Sequence, residues 1–238
     1  LHPQLGALPL LLQRQLHRRA RRDELALQLH HFLDGLAASL GALQLGDLAA
    51  KEFLVPIKLD TKFASAVVRY FKHSIAFDRN KSRLMHYFVG VQGYYVKEVL
   101  LVCNPMLYAA FKGMTDAMVV DPHTEPNEEL LFHGTSQQAV KPIVLNNFTR
   151  DKATRAQYGH GVYFSPWSSY SFQDNYSVPF GGVGTTPNPD QVKHVLLTRC
   201  LTGTSAPGVN GLHQMPRGDV ANKTYDSFHN SEHGSQKL

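Results

Sequence analysis

Three observations predict an α+β fold: apolar residues recur at helical spacing in some segments, short apolar or alternating runs occur in others, and the two kinds are interleaved along the chain. Leu25, Leu29, Phe32, Leu36 and Leu43 fall three, four or seven residues apart, which puts them on one helical face. The first fifty residues are therefore expected to be helical, with Gly41 and Gly46 as interruptions. Pro56 marks a shift from Leu-rich composition to a mixture of aromatic, β-branched and polar residues, and a domain boundary is expected near Phe53. A helix is expected over Phe63 to Ile75, then a strand over Tyr94 to Val102 that ends at Asn104-Pro105. Pro105 suits the first turn of a helix through Met106, Leu107, Ala110 and Phe111, where a missing amide hydrogen costs nothing. After a polar turn at Glu125 to Asn127 come a short strand, Leu130 to His133, and a helix, Ser136 to Leu145, opened by a serine cap. Two more strands are expected, Gly161 to Ser165 and a buried one over Val195 to Leu201, separated by a Gly, Thr and Pro-rich surface loop at Phe180 to Pro189.

The chain of 238 residues is 43% hydrophobic, enough for a real core. Its net charge of +5 is not concentrated: residues 1 to 50 hold five Arg and four acids, and the rest is spread without the dense stripe of a nucleic-acid module. The block Arg14, Arg18, Arg19, Arg21 and Arg22 has no interleaved aromatics and reads as the solvated face of an amphipathic helix, with RNA binding as the weaker alternative. Cys103 and Cys200 are far apart and neither belongs to a C-x-x-C pair, so disulfide frameworks and zinc fingers lack support. The histidines show no metal-ligand spacing, and no metal is expected. The early apolar run Leu8 to Leu12 precedes its basic residues and is too short for a bilayer, so an intracellular protein, nuclear or cytoplasmic, without membrane partners is expected. Gly181-Gly182-Val183-Gly184 opens no helix, which excludes a dehydrogenase-type dinucleotide loop.

Chemistry is concentrated in three places. In Leu131-Phe132-His133-Gly134-Thr135, an apolar strand ends in His133, and Gly134 lets a flat ligand approach the backbone. A glycine-flanked strand, Gly159-His160-Gly161-Val162-Tyr163-Phe164-Ser165, carries Tyr163, while Phe164 reads as core. The hydroxyl-rich segment Ser168 to Tyr176 is compatible with a helix and places Ser171 and Tyr176 eight and thirteen residues after Tyr163. Each of these alone has an ordinary structural explanation: a strand-end histidine, a turn glycine, a packed aromatic.

Together they resemble the catalytic domain of the poly(ADP-ribose) polymerase family of ADP-ribosyltransferases. The resemblance runs from about Phe53 to the last residue and rests on Asn104-Pro105-Met106-Leu107-Tyr108, Asn127 through Thr135, Gly161-Val162-Tyr163-Phe164, Ser169-Tyr170-Ser171, Leu201-Thr202-Gly203 and Tyr225-Asp226-Ser227, all in the family's order. The spacing from Tyr163 to Tyr176 looks most like the mono-ADP-ribosylating branch. The resemblance implies an ADP-ribosyltransferase fold, with mixed or antiparallel sheets around an NAD cleft, over residues 53–238, preceded by a helical segment of unknown role over 1–52. It implies a transferase that moves ADP-ribose from NAD+, the co-substrate, to acceptor proteins, itself among the candidates.

Nicotinamide in NAD+ is a flat, positively charged leaving group, so cleavage needs a held ring and a tolerated sugar cation more than a strong acid. By similarity, Gly134 backbone groups and the Ser171 hydroxyl would bond the carboxamide at about 1 kcal/mol each. Tyr176 would stack on the ring, adding about 0.5 to 1.5 kcal/mol, with Tyr163 on the other face. His133 and Tyr163 are the catalytic candidates; His133 would hold the adenosine-side ribose, with Thr135 close by. The stretch Asn147 to Gln157 occupies the place of the family's dinucleotide-covering loop, where Arg150 or Arg155 could pair with the pyrophosphate; solvation of each is the equal alternative. The family's third residue, a glutamate in chain-elongating polymerases, lies beyond the Tyr-Asp-Ser motif, and this sequence stops eleven residues after Ser227 without it. A sheet edge left open by the missing strands, and an inactive binding or scaffolding module of the same fold, are the corresponding expectations.

Overall fold

The computed structural model describes residues 10–41, 53–75, 95–121, 125–153, 157–179, 191–214 and 224–230. Gly46, Tyr94, Arg155 and the loop at 180–189 with its glycine run lie outside them. The chain divides into two compact units, Leu1–Cys103 and Asn104–Leu238.

In the first unit, the expected amino-terminal helix is α1, Leu10–Gly41. Its stripe is real over the middle turns, where Leu25 and Leu29 are buried and Phe32 meets Phe63 edge-on, with ring centroids 6.0 Å apart. Phe63 lies on α2, Lys62–Ile75, whose buried Ala64, Ala66 and Tyr70 follow helical spacing. Thr61 caps α2, its hydroxyl accepting from the Ala64 amide at 3.1 Å. Strand β1, Leu54–Ile57, pairs antiparallel with β2, Val99–Val102, and Ile57 faces Val99. Of the arginine block, Arg21 is exposed and Arg22 pairs with Asp23.

The second unit opens on Asn104, the N-cap of α3, Pro105–Val120, with Pro105 in the first turn as expected. Strand β3, Glu128–Thr135, is longer than Leu130 to His133 because the pairing with β4, His194–Leu201, continues to Glu128 opposite Leu201. There Arg199 holds the Glu128 carboxylate with two bonds, 2.5 and 3.0 Å, and stacks its guanidinium over Phe111 of α3. Helix α4, Gln137–Asn146, starts at the expected cap, Ser136 accepting from the Ala139 amide at 3.3 Å. A short parallel pair, β5 (Ser205–Pro207) and β6 (Ser227–His229), completes the sheets. Leu130, Leu131 and Phe132 of β3, Val144 of α4, Ala206 of β5 and Met118 of α3 are buried.

Two expectations are corrected. Gly161 to Ser165 is not a strand: only Ser165 bridges to Phe132. The Tyr163 hydroxyl folds back to donate to the Gly159 carbonyl at 2.7 Å and accept from the Tyr158 amide at 3.0 Å, so this segment closes on itself instead of extending along a neighbour. β4 forms where expected but is half-buried along its length, since β3 is its strand partner in a sheet of two.

Candidate functional site

The site is built on the carboxyl end of β3. Hydrogen-bonding direction alternates along a strand, and Phe132 exchanges both of its backbone bonds with Ser165, at 2.7 and 2.9 Å, on the edge away from β4. Gly134, two residues on, therefore turns its amide and carbonyl to the same outer edge, just where the bridge has ended. Glycine is required there: a Cβ would overlap the Ser171 carbonyl oxygen and come within 2.9 Å of the Tyr176 Cβ. A donor and an acceptor on one edge, bordered by a serine and a tyrosine, complement a planar primary amide.

Ser171 ends the helical turn α5, Ser168–Ser171, and is buried. Its hydroxyl donates to the Phe132 carbonyl at 2.9 Å, which leaves its lone pairs able to accept. Tyr176 lies on the turn that follows. Its ring stacks on Tyr170 at 4.7 Å and 28°, and the two hydroxyls are 2.6 Å apart, so one face of Tyr176 is already covered. The turn is fastened to β4 at its far end by the Ser177 hydroxyl, which donates to the His194 carbonyl at 2.9 Å.

His133 is held on the other side. Its Nδ1 lies 2.8 Å from the Tyr163 carbonyl; a carbonyl only accepts, so Nδ1 carries the proton and Nε2 presents a lone pair when the ring is neutral. Burial pushes the His133 pKa down, against the Tyr163 bond that raises it, which favours the neutral ring. Phe148 and Phe164 flank the imidazole at 4.9 and 5.4 Å and meet each other at 4.9 Å. Phe148, at the start of the expected covering loop, was not singled out from the sequence; its position between a helix and a polar loop carries no periodic signal.

Thr135 is buried at the end of β3, opposite His194. Arg150 lies in a 3-10 turn, Arg150–Lys152, and one guanidinium N–H donates to the His213 carbonyl, leaving others available. The structure thus brings Gly134, Ser171 and Tyr176 into direct contact and joins His133 to the backbone of Tyr163. The Tyr163 hydroxyl is committed to Tyr158 and Gly159. Burial foremost, then Glu129 and Glu128, push the thiol of Cys200 on β4 up to about 11 despite the Thr198 bond. Among the described residues no group of His, Cys, Asp and Glu could hold a metal, and no helix is long and apolar enough to cross a membrane.

Comparison with known proteins gives the family. The sequence model described as the poly(ADP-ribose) polymerase catalytic domain matches residues 82–208, more than half of the chain, and the chain belongs to that family. Protein mono-ADP-ribosyltransferase PARP10 of Mus musculus is 32% identical over 117 residues, 48% of this chain. Protein mono-ADP-ribosyltransferase PARP14 of Homo sapiens is 30% identical over 142 residues, 58% of this chain. Both relatives thus bear the name of the mono-ADP-ribosylating branch. The chain spans only 11% and 7% of the length of these two curated relatives.

Proposed function

We propose that this chain is an NAD+ ADP-ribosyltransferase that transfers ADP-ribose to protein side chains and releases nicotinamide, its catalytic domain covering residues 53–238 and the helical segment 1–52 preceding it. The observation that carries the reading is the outer edge of Gly134, with Ser171 and Tyr176 packed against it. The Gly134 amide donates to the carboxamide oxygen, while the Gly134 carbonyl and Ser171 Oγ accept its two N–H groups. Tyr176 offers its uncovered face to the ring, and His133 Nε2 accepts from a ribose hydroxyl. Thr135 follows two residues after His133 on the same face of β3, and the remaining N–H groups of Arg150 serve the pyrophosphate. Tyr163 contributes through its carbonyl, which fixes the His133 tautomer, as well as through its ring.

NAD+ supplies a positively charged leaving group: the C–N bond breaks with its electron pair going to the pyridine nitrogen, and neutral nicotinamide departs. The acceptor side chain forms the new bond to the ribose carbon and gives up its proton to solvent. This chain's residues therefore act by holding the two ends of the dinucleotide and keeping the ring oriented, which is the larger part of the acceleration for such a reaction.

The purified chain incubated with NAD+ labelled in the adenylate should label itself or an added protein and release nicotinamide. Gly134→Ala should lose both, because its methyl group would overlap the Ser171 carbonyl and push Ser171 and Tyr176 off the Gly134 edge. Neither label nor nicotinamide from the parent chain would reject the enzyme, and binding of a benzamide without turnover would instead support the binding module.

A further inference from the structure

Between the two residues that border Gly134 runs the turn Phe172 to Asn175, and one side chain outside it holds it in three ways. The Lys193 ammonium donates to the Phe172 carbonyl at 3.0 Å, lies 4.5 Å from the centroid of the Phe172 ring, and pairs with the Asp174 carboxylate. This ammonium is well shielded, with its side chain 14% exposed and that of Asp174 30%, so the pair is less screened by salt than a surface one. Lys193 immediately precedes β4, and two residues later Val195 pairs with Gly134. The amide edge and the stacking turn are therefore both referenced to the start of one strand, Gly134 through the β3–β4 ladder and Tyr176 through Lys193.

We infer that Lys193 is a positioning residue for the ring end of the dinucleotide site: by clamping Phe172 and Asp174 it sets the distance between the Tyr176 ring and the Gly134 edge. This role rests on the ADP-ribosyltransferase reading. Within the turn the Tyr176 and Ser177 amides both donate to the Gln173 carbonyl, at 2.9 and 2.8 Å, so the residue between the two clamped ones anchors Tyr176. Releasing the clamp loosens that short turn, which keeps the Ser177 bond to the His194 carbonyl and the Tyr176 stack on Tyr170, while the β3–β4 ladder, and with it Gly134, stays in place.

Two measurements on the 238-residue chain test this. Lys193→Met keeps the aliphatic stem and removes the charge; Lys193→Arg restores charge, ion pair and ring contact. In Lys193→Met, amide exchange at Tyr176 and Ser177 should quicken by about tenfold, with exchange in β3 unchanged. The dissociation constant of benzamide should rise by about tenfold while that of ADP-ribose stays within about twofold, since only the ring end has lost its support. Lys193→Arg should return both quantities to near the parent values. Unchanged exchange at Tyr176 overturns the clamp whatever the chain binds. Faster exchange with unaltered benzamide affinity, or benzamide and ADP-ribose weakened alike, overturns its assignment to the ring end. A parent chain that binds no benzamide while the exchange effect is present overturns the ADP-ribosyltransferase reading and, with it, this role for the clamp.

Discussion

At the scale of single residues, His133 on β3 and His194 on β4 bear on how the second unit responds to acid. Burial lowers the pKa of His133 and of His194 from the ordinary value of 6.5, and the His194 Nδ1 is buried with no hydrogen-bond partner among the described residues. For a group whose folded pKa lies below its unfolded one, the unfolded chain takes up the proton first. Its contribution is therefore complete above pH 6.5 and is lost as the pH falls from there toward the folded value. The melting temperature should drop between about pH 7 and 5.5, before most carboxylates titrate. H133N–H194L should flatten that drop: Asn retains a donor for the Tyr163 carbonyl and Leu removes a ring that charges only on unfolding. Equal slopes for parent and variant in thermal melts would show that neither imidazole is kept neutral by the fold.

At the scale of elements, caps and strands were legible to different degrees. Asn104-Pro105 could be read as the start of a helix because the cap and the proline act on their own neighbours, and α3 begins there with the Asn104 Oδ1 accepting from Met106 and Leu107 at 3.1 and 3.3 Å. The other half of the side chain could not be read: Nδ2 donates to the Val144 and Leu145 carbonyls, 2.9 and 3.2 Å away at the end of α4, forty residues on. Residues 161–165 were misread for a related reason. A short apolar run flanked by glycine predicts an extended segment, but the Tyr163 hydroxyl satisfies local backbone groups and turns the segment back. Asn104 yields a prediction that separates its two functions. Asn104→Ala should cost about 2 to 4 kcal/mol, a cap plus two buried bonds. Asn104→Asp keeps the cap but sets a carboxylate against carbonyls at the negative end of α4, so it should rescue little. An Asp variant as stable as the parent in urea titrations would leave capping of α3 as the whole contribution.

At the scale of the whole second unit, the family's motifs divide into those that face the site and those that hold the frame, a distinction their order along the chain does not contain. Asn127, Thr202-Gly203 and Asp226-Ser227 meet at one corner that joins β3–β4 to β5–β6. The Asn127 carbonyl accepts from the Thr202 hydroxyl at 2.7 Å, and its side chain donates to the Gly203 carbonyl at 2.9 Å. The Ser227 hydroxyl donates to the Thr202 carbonyl at 2.6 Å, and the Thr204 amide donates to the Asp226 carboxylate at 2.8 Å. These groups spend their hydrogen bonds on one another, so the corner is architectural, whereas the outer edge of Gly134 is where the proposed ligand site rests. Gly203 is fixed there twice: its φ is +54°, and a Cβ would overlap the Asp226 side chain. Gly203→Ala should therefore destabilise by about 2 kcal/mol, from backbone strain and from displacing Asp226 off Thr204. Asp226→Ala alone should cost about 1 kcal/mol. Both single changes lose the same Thr204–Asp226 bond, while the Cβ that Asp226→Ala leaves still meets the new methyl group, so the double variant should be more stable than the two single effects predict by about 1 kcal/mol. Strict additivity in a denaturant cycle would mean that the two motifs do not bear on each other and that the corner is held elsewhere.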